Sequence, residues 1–326
     1  MGRIAKIKND SDPRMRKIAA DLAGGALVVF PTETVYGLGA NALDDFAVRR
    51  IFWAKGRPSY NPLLVHISNQ KQLKKLVKKI PFKAKALMKR FWPGPLTIVF
   101  EKKTAVPDSV TAGLSTVGIR FPSHPIAQAL IELSGVPVAA PSANIAGSPS
   151  ATHARHAVSD LLKKVDWVID SGPAEIGIES TIIDCTKKVP VLLRPGKISA
   201  EELQETIGKI AVHSKLKNKI PKAPGMKYRH YAPKAKVLVI ESKKLAGKLK
   251  SVNGKVMVLT IRQKILVAKN RVVFQFASSD QMATDLFDCF RFADEKKIRL
   301  ILVEKPSQKG IGAALLNRLE KASRKK

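Results

Sequence analysis

The sequence predicts an α/β protein of two units, a larger one on a twisted mixed sheet with helices packed against it and a smaller one on a largely parallel sheet. Three observations carry this. Short apolar runs bounded by Gly, Pro or Asp alternate with longer amphipathic segments, the pattern of strands and helices in turn. Some apolar runs follow one another directly, so the larger sheet is mixed rather than purely parallel. A basic stretch at 215–233, punctuated by Pro221, Pro224 and Pro233, divides two such series, and 326 residues suffice for a core in each.

In chain order, Asp12 and Pro13 open a helix over 14–22, and Gly24-Gly25 end it ahead of an apolar strand at 26–30. Thr32, Glu33 and Thr34 then stand at the strand's carboxyl end, where open α/β sheets bind ligands. Gly37 and Gly39 read as turn residues beside that place. Asp44 or Asp45 caps a helix running to Lys55, with Gly56 just past its end. A strand at 63–67 follows, then helices at 71–80 and 82–92, the second stopped by Pro93-Gly94-Pro95. Strands at 96–100 and 115–121 come next. Arg120 lies in an otherwise apolar run, so its guanidinium needs a partner carboxylate or a ligand's.

A helix at 125–134 ends at Gly135, and the strand at 136–140 empties into Pro141, Ser142, Ala143 and Asn144. His153 and His156 have metal-ligand spacing but no third ligand in view, and read as a surface pair. Strands at 167–170, 177–185 and 191–193 close the unit, the last delivering Arg194, and Ser199 with Glu202 forms a capping box for its final helix. The stretch at 215–233 carries Met226, Tyr228, Arg229, His230 and Tyr231, side chains a passive tether does not need. Beyond it, strands at 237–240, 256–260, 272–276 and 300–303 alternate with helices near 243–250, 280–293 and 311–322.

Composition narrows the function. No apolar run approaches the roughly 20 residues of a membrane span, and the amino terminus lacks an apolar signal core, so a cytoplasmic protein is expected. Cys185 and Cys289 are too few for a disulfide framework or a zinc site. Lys and Arg number 58 against 26 Asp and Glu, a formal charge of +32 that attracts polyanions. Runs such as 71–79 look like solvated helix faces, so the charge by itself does not establish a nucleic-acid partner.

Several familiar sites are excluded by inspection. No G-x-x-x-x-G-K-[ST] loop occurs, and the glycines at 37–42 follow their strand too late, with no ribose-binding acid after them, for a dinucleotide fold. Neither G-x-S-x-G nor H-E-x-x-H is present. What remains is Lys55, Arg57, Arg120 and Arg194 with Thr34, Ser142, Asn144 and Ser180, all at strand ends or the loops beside them. Four cations without an acid–base pair suit phosphoryl or nucleotidyl transfer, where positioning and electrostatics do most of the catalysis. The alternative is an RNA- or ribosome-binding module with a basic concave sheet, which needs charge but not small hydroxyls at strand ends.

Four motifs together resemble the YrdC-like domain of threonylcarbamoyl-AMP synthases: P-T-E-T-V-Y-G-L-G at 31–39, K-G-R-P at 55–58 with N-P-L-L-V-H-I after it, W-P-G-P-L-T at 92–97 and P-S-A-N at 141–144. A-P-G-M-K-Y-R-H-Y-A-P at 223–233, together with the domain after it, resembles the larger, two-domain members. The resemblance implies a YrdC-like twisted mixed sheet with helices over 1–214, a linker at 215–235 that reaches the active site, and a small Rossmann-like α/β C-terminal domain over 236–326. It implies a nucleotidyltransferase that makes threonylcarbamoyl-AMP and pyrophosphate from L-threonine, bicarbonate and ATP, with Mg2+ accompanying ATP. The product would serve the threonylcarbamoyl modification of the tRNA adenosine next to the anticodon, through hand-over to a threonylcarbamoyl-transferase, with tRNA contact as a further partnership. By motif, Lys55, Arg57, Asn61, Thr116, Ser142, Asn144, Ser150, Arg194, His230 and Tyr231 would hold ATP, Lys55 and Arg57 as the catalytic cations. Thr34, His66, Arg120, Ala140 and Ser180 would hold threonine. Glu33 is left without a role.

Overall fold

Strands form where the apolar runs predict them, with two exceptions that matter for the site. The computed structural model describes residues 2–212, 230–261 and 270–324. Its larger sheet takes β1 (Arg3–Lys6), β2 (Val28–Phe30), β3 (Gly37–Asn41), β4 (Leu64–His66), β5 (Leu96–Glu101), β6 (Thr116–Arg120), β7 (Val138–Ala139), β8 (Trp167–Asp170), β9 (Thr181–Asp184), β10 (Val191–Arg194) and β11 (Ala211–Val212). Their spatial order is β1-β8-β2-β3-β7-β4-β6-β5-β9-β10-β11. The sheet is mixed: β4 and β6 run parallel, as do β5 and β9, whereas β3 is antiparallel to both β2 and β7.

The helices of this unit are α1 (Arg14–Ala23), α2 (Asp45–Lys55), α3 (Gln70–Leu76), α4 (Phe82–Phe91), α5 (Asp108–Thr111), α6 (Pro125–Ser134), α7 (Ala154–Leu161) and α8 (Ala200–Ile207). They cover both faces. Val28 and Phe30 pack with Ile18 and Leu22 of α1 and Leu130 and Ile131 of α6. Val29, between them, joins Val48 and Ile51 of α2, Leu87 of α4 and Leu203 of α8, as the two-residue period of a strand requires.

The smaller sheet is fully parallel, with β12 (Lys236–Ile240), β13 (Val256–Thr260), β14 (Arg271–Gln275) and β15 (Leu300–Glu304) in the order β12-β15-β13-β14. Of its helices α9 (Ser242–Lys250), α10 (Ser279–Glu295) and α11 (Ile311–Ala322), the last two pack Phe287, Phe290, Leu315 and Leu319 on Met257, Leu259, Ile301 and Val303. Leu245 of α9 packs with Val256, Val258 and Leu302. Val35, Ile178 and Tyr231 join the α10–α11 core, so the two units share one buried boundary. Of the linker expected at 215–235, residues 215–229 lie outside the described residues. No helix among the described residues is long and apolar enough to cross a membrane.

Three expectations need correction, and one strand is an addition. Gly37 and Gly39 are not turn residues. They belong to β3, where a Cβ on Gly39 would come within 2.8 Å of Phe30 and Val138, so glycine here permits close packing between strands. The chain's first strand, β1, went unforeseen because Ala5 alone is buried within it and the rest reads as a polar terminus. The helix expected at 71–80 ends at Leu76, because Val77 turns extended and bridges to Lys102. Within 177–185 only Thr181–Asp184 is strand, which leaves Glu179 and Ser180 to the site.

Candidate active site

The P-T-E-T segment after β2 is fixed by a relay of hydroxyls. Thr32 Oγ1 donates to the Val35 carbonyl at 2.6 Å, so it accepts at 2.9 Å from Thr34 Oγ1, which in turn accepts from Arg120 Nη1 at 2.8 Å. Arg120, at the end of β6, meets Glu33 across 2.8 Å, with both side chains about 5% exposed or less. Glu33 is thus the partner that the buried guanidinium demands. Burial pushes the Glu33 carboxyl up, but the charge and hydrogen bonding of Arg120 outweigh it and hold the group below the ordinary range. Arg120 Nε keeps no hydrogen-bond partner among the described residues.

Helix α2 delivers the K-G-R-P cations. Asp44 accepts from the Phe46 and Ala47 amides at its start, and Gly56, in the left-handed region at φ 59°, closes its end. Lys55 therefore points inward, where its ammonium donates to the carbonyls of Ser142, at 2.5 Å, and of Asn144. Burial and then the charge of Arg57 drive its pKa well down. Arg57 donates to the Asn61 carbonyl at 3.2 Å and the Pro62 carbonyl at 2.9 Å, while the buried Asn61 Oδ1 has no partner among the described residues. Ser142 Oγ donates to Asn144 Oδ1 at 2.6 Å, so Lys55 and Asn144 together brace the P-S-A-N loop.

From the other side, Arg194 of β10 donates to the Ser180 carbonyl at 3.0 Å and to Ser180 Oγ at 3.1 Å. Ser180 Oγ also lies 2.8 Å from Thr97 Oγ1. Glu179 accepts from Ser150 Oγ at 2.6 Å and from Arg318 of α11 at 2.8 Å. Burial raises the Glu179 pKa, yet the charges of Arg318 and Arg194 leave it lowered. His230 and Tyr231 enter last, and the Tyr231 ring stacks on Phe287 of α10 with centroids 5.6 Å apart.

These pieces line one cleft. Of the residues expected from sequence, it brings together Thr34, Arg57, His66, Arg120, Ala140, Ser142, Ser180, Arg194, His230 and Tyr231. Lys55, Asn61, Asn144 and Ser150 stand outside this lining and act on it through their hydrogen bonds. Thr116 is at the opposite end of β6 from Arg120, roughly 13 Å along the strand. Sequence reading missed Tyr36 and Glu179 as lining residues. Glu179 gave one signal, its place beside Ser180; its partner Arg318 lies 139 residues away.

His153 and His156 are not a surface pair. His156 is buried, and Asp288 of α10 lies 2.9 Å from its Nε2 and 3.9 Å from His153 Nδ1. The three have metal-ligand spacing. His156 Nδ1, however, accepts from the Thr152 amide at 3.2 Å, so Nε2 carries the proton and donates to Asp288, a hydrogen bond between the two units.

All five described histidines have depressed pKa values, with burial as the leading cause; His66 falls to about 3 and His230 to about 4 from the ordinary 6.5. The unfolded chain therefore takes up protons near pH 6.5 that the folded chain refuses, and the stability present above that pH is lost as pH falls toward 4. His66 alone contributes a slope of up to about 1.4 kcal/mol per pH unit. The urea midpoint is expected to drop between pH 7 and pH 5, and to drop less in His66→Gln; a midpoint that rises on acidification contradicts this.

The family model described as "Telomere recombination" (Sua5, YciO and YrdC) matches residues 20–196, and the one described as "Threonylcarbamoyl-AMP synthase, C-terminal domain" matches residues 198–324. The chain is 48% identical over 322 residues to the threonylcarbamoyl-AMP synthase of Pyrococcus abyssi, covering 95% of this chain and 94% of that one. It is 46% identical over 324 residues to that of Bacillus subtilis, covering 96% and 94%. A crystal structure of P. abyssi Sua5 complexed with L-threonine superimposes with a TM-score of 0.89 at 46% identity, over 99% of this chain and 97% of that one. The chain thus belongs to the threonylcarbamoyl-AMP synthase family, in its two-domain form.

Proposed function

We propose that this protein is an L-threonylcarbamoyladenylate synthase, a nucleotidyltransferase acting on L-threonine, bicarbonate and ATP. One observation carries the reading: Arg57, Arg120 and Arg194 converge on a single cleft floored by the hydroxyls of Thr34, Ser142 and Ser180. Arg120, already aligned by Glu33 and Thr34, would take the threonine carboxylate. The threonine amine attacks carbon dioxide, losing a proton, or attacks bicarbonate with loss of water, to give a carbamate, a step that rests mainly on proximity. A carbamate oxygen then forms a bond to the α-phosphorus as the bond to the β-phosphate oxygen breaks. Arg57 and Arg194 would offset the charge on the departing pyrophosphate.

Mg2+ suits this cleft as a companion of ATP. Glu179, the one carboxylate lining it among the described residues, is held by Ser150 and Arg318, so the phosphates and water would supply the ion's ligands. In this reading residues 1–214 are catalytic, 215–235 is the linker that reaches the nucleotide, and 236–326 is the C-terminal domain. The protein works in the cytoplasm, and its product passes to a transferase that modifies tRNA. Pyrophosphate release is expected to require threonine and bicarbonate together; equal release with threonine omitted contradicts the proposal.

A further inference from the structure

The C-terminal domain sends one side chain to the back of the catalytic cleft. Arg318 of α11 has no exposed surface. Its Nε donates to Glu179 Oε2 at 2.8 Å, Nη1 to the Pro195 carbonyl at 3.0 Å and Nη2 to the Glu179 carbonyl at 3.3 Å. Its guanidinium carbon lies 5.4 Å from the centroid of the Tyr231 ring, whose other neighbours include Phe287 of α10 and Lys321 of α11. One planar fork therefore ties together the turn before β9, the loop after Arg194 and the end of the linker.

Arg318 does not line the cleft, but Glu179 and Tyr231 do. The other oxygen of Glu179 holds Ser150 at 2.6 Å, so Arg318 acts on two residues assigned to the nucleotide, Ser150 and Tyr231. Burying an arginine or a glutamate is costly unless each finds a partner, and these two find each other. This pair is complete only when α11 is seated, which ties the seating of the second domain to the placement of Glu179 and, through it, of Ser150. Of the residues assigned to threonine, Ser180 is the one next to this fork, because it follows the Glu179 carbonyl that Arg318 holds. Its side chain bonds Thr97 and Arg194 instead, and Arg318 makes no hydrogen bond to the side chains of Thr34, His66, Arg120 or Ser180 among the described residues.

We propose that Arg318 is a positioning residue through which the C-terminal domain sets the nucleotide affinity of the catalytic cleft. The inference rests on the proposed function and names the part of that site it governs. Its test is calorimetric titration of the full chain with ATP alone, followed by steady-state kinetics. Arg318→Lys keeps the charge but loses the fork, and is expected to weaken ATP binding by about 10-fold. The KM for ATP should rise with it, while the KM for threonine stays within about twofold. Glu179→Gln should give the same split, and adding it to Arg318→Lys should cost little more. Arg155→Ala, which cuts an exposed ion pair to Asp288 between the same two units, should leave ATP affinity unchanged. If Arg318→Lys fails to fold, Glu179→Gln carries the same test. ATP affinity unchanged in these variants, or a loss shared equally with threonine, overturns the proposal. A wild-type chain that binds no ATP overturns the proposed function and this inference with it.

Discussion

Arg120→Ala is expected to weaken threonine use by about 30-fold or more, the consequence of losing roughly 2–5 kcal/mol at a buried, hydrogen-bonded charge pair. ATP binding should change far less, because Arg57 and Arg194 face the cleft independently of Arg120. The same substitution strands Glu33 as a buried, unpaired carboxylate, which costs about 3–5 kcal/mol of stability. These two effects separate in the double variant Glu33→Gln with Arg120→Ala. Removing the stranded charge should restore part of the stability and none of the threonine affinity. Threonine titrations read by pyrophosphate release, paired with urea unfolding, check both. A folded Arg120→Ala protein with unchanged threonine dependence contradicts the assigned role.

As the catalytic cation that the family motif implies, Lys55 replaced by methionine (Lys55→Met) is expected to lower kcat by on the order of 10²-fold or more at saturating substrates, the scale of losing one preorganised donor, although its ammonium acts on the cleft through the Ser142 and Asn144 carbonyls and does not line it. The structure adds a second consequence. The Lys55 ammonium is buried between the carbonyls of Ser142 and Asn144, and methionine leaves both without that donor, at about 1–3 kcal/mol each. Ser142 lines the cleft, so loosening its loop also misplaces a residue assigned to ATP. Single-turnover rates alongside urea unfolding distinguish the outcomes. A stability loss with kcat intact would reduce Lys55 to a loop brace.

Elements governed by local chemistry were legible in the sequence, and those governed by distant partners were not. α6 and α11 begin and end at the expected residues, and the Ser199–Glu202 capping box forms both of its bonds. β3 was misread because two glycines in five residues look like punctuation, whereas the real constraint is the Phe30 ring lying across them. His156 was misread because its partner Asp288 lies 132 residues away on a helix of the other unit. Glu33 shows both sides of this: the sequence required Arg120 to have a partner, but only the fold, which brings the segment between β2 and β3 to the end of β6, supplies which one. The strand-end clusters at 32–34 and 141–144, which could equally have been plain turns, both contribute to the cleft, as their place at the carboxyl ends of strands led one to expect.

If these assignments hold, one cleft joins three substrates into a single product. The direct test supplies 15N-labelled L-threonine, 13C-labelled bicarbonate and ATP to the full chain and reads the product by mass spectrometry. The expected result is one molecule carrying the adenylate, the 15N and the 13C, with one pyrophosphate released for each. Adenylated threonine without 13C, or AMP as the sole nucleotide product, would contradict it.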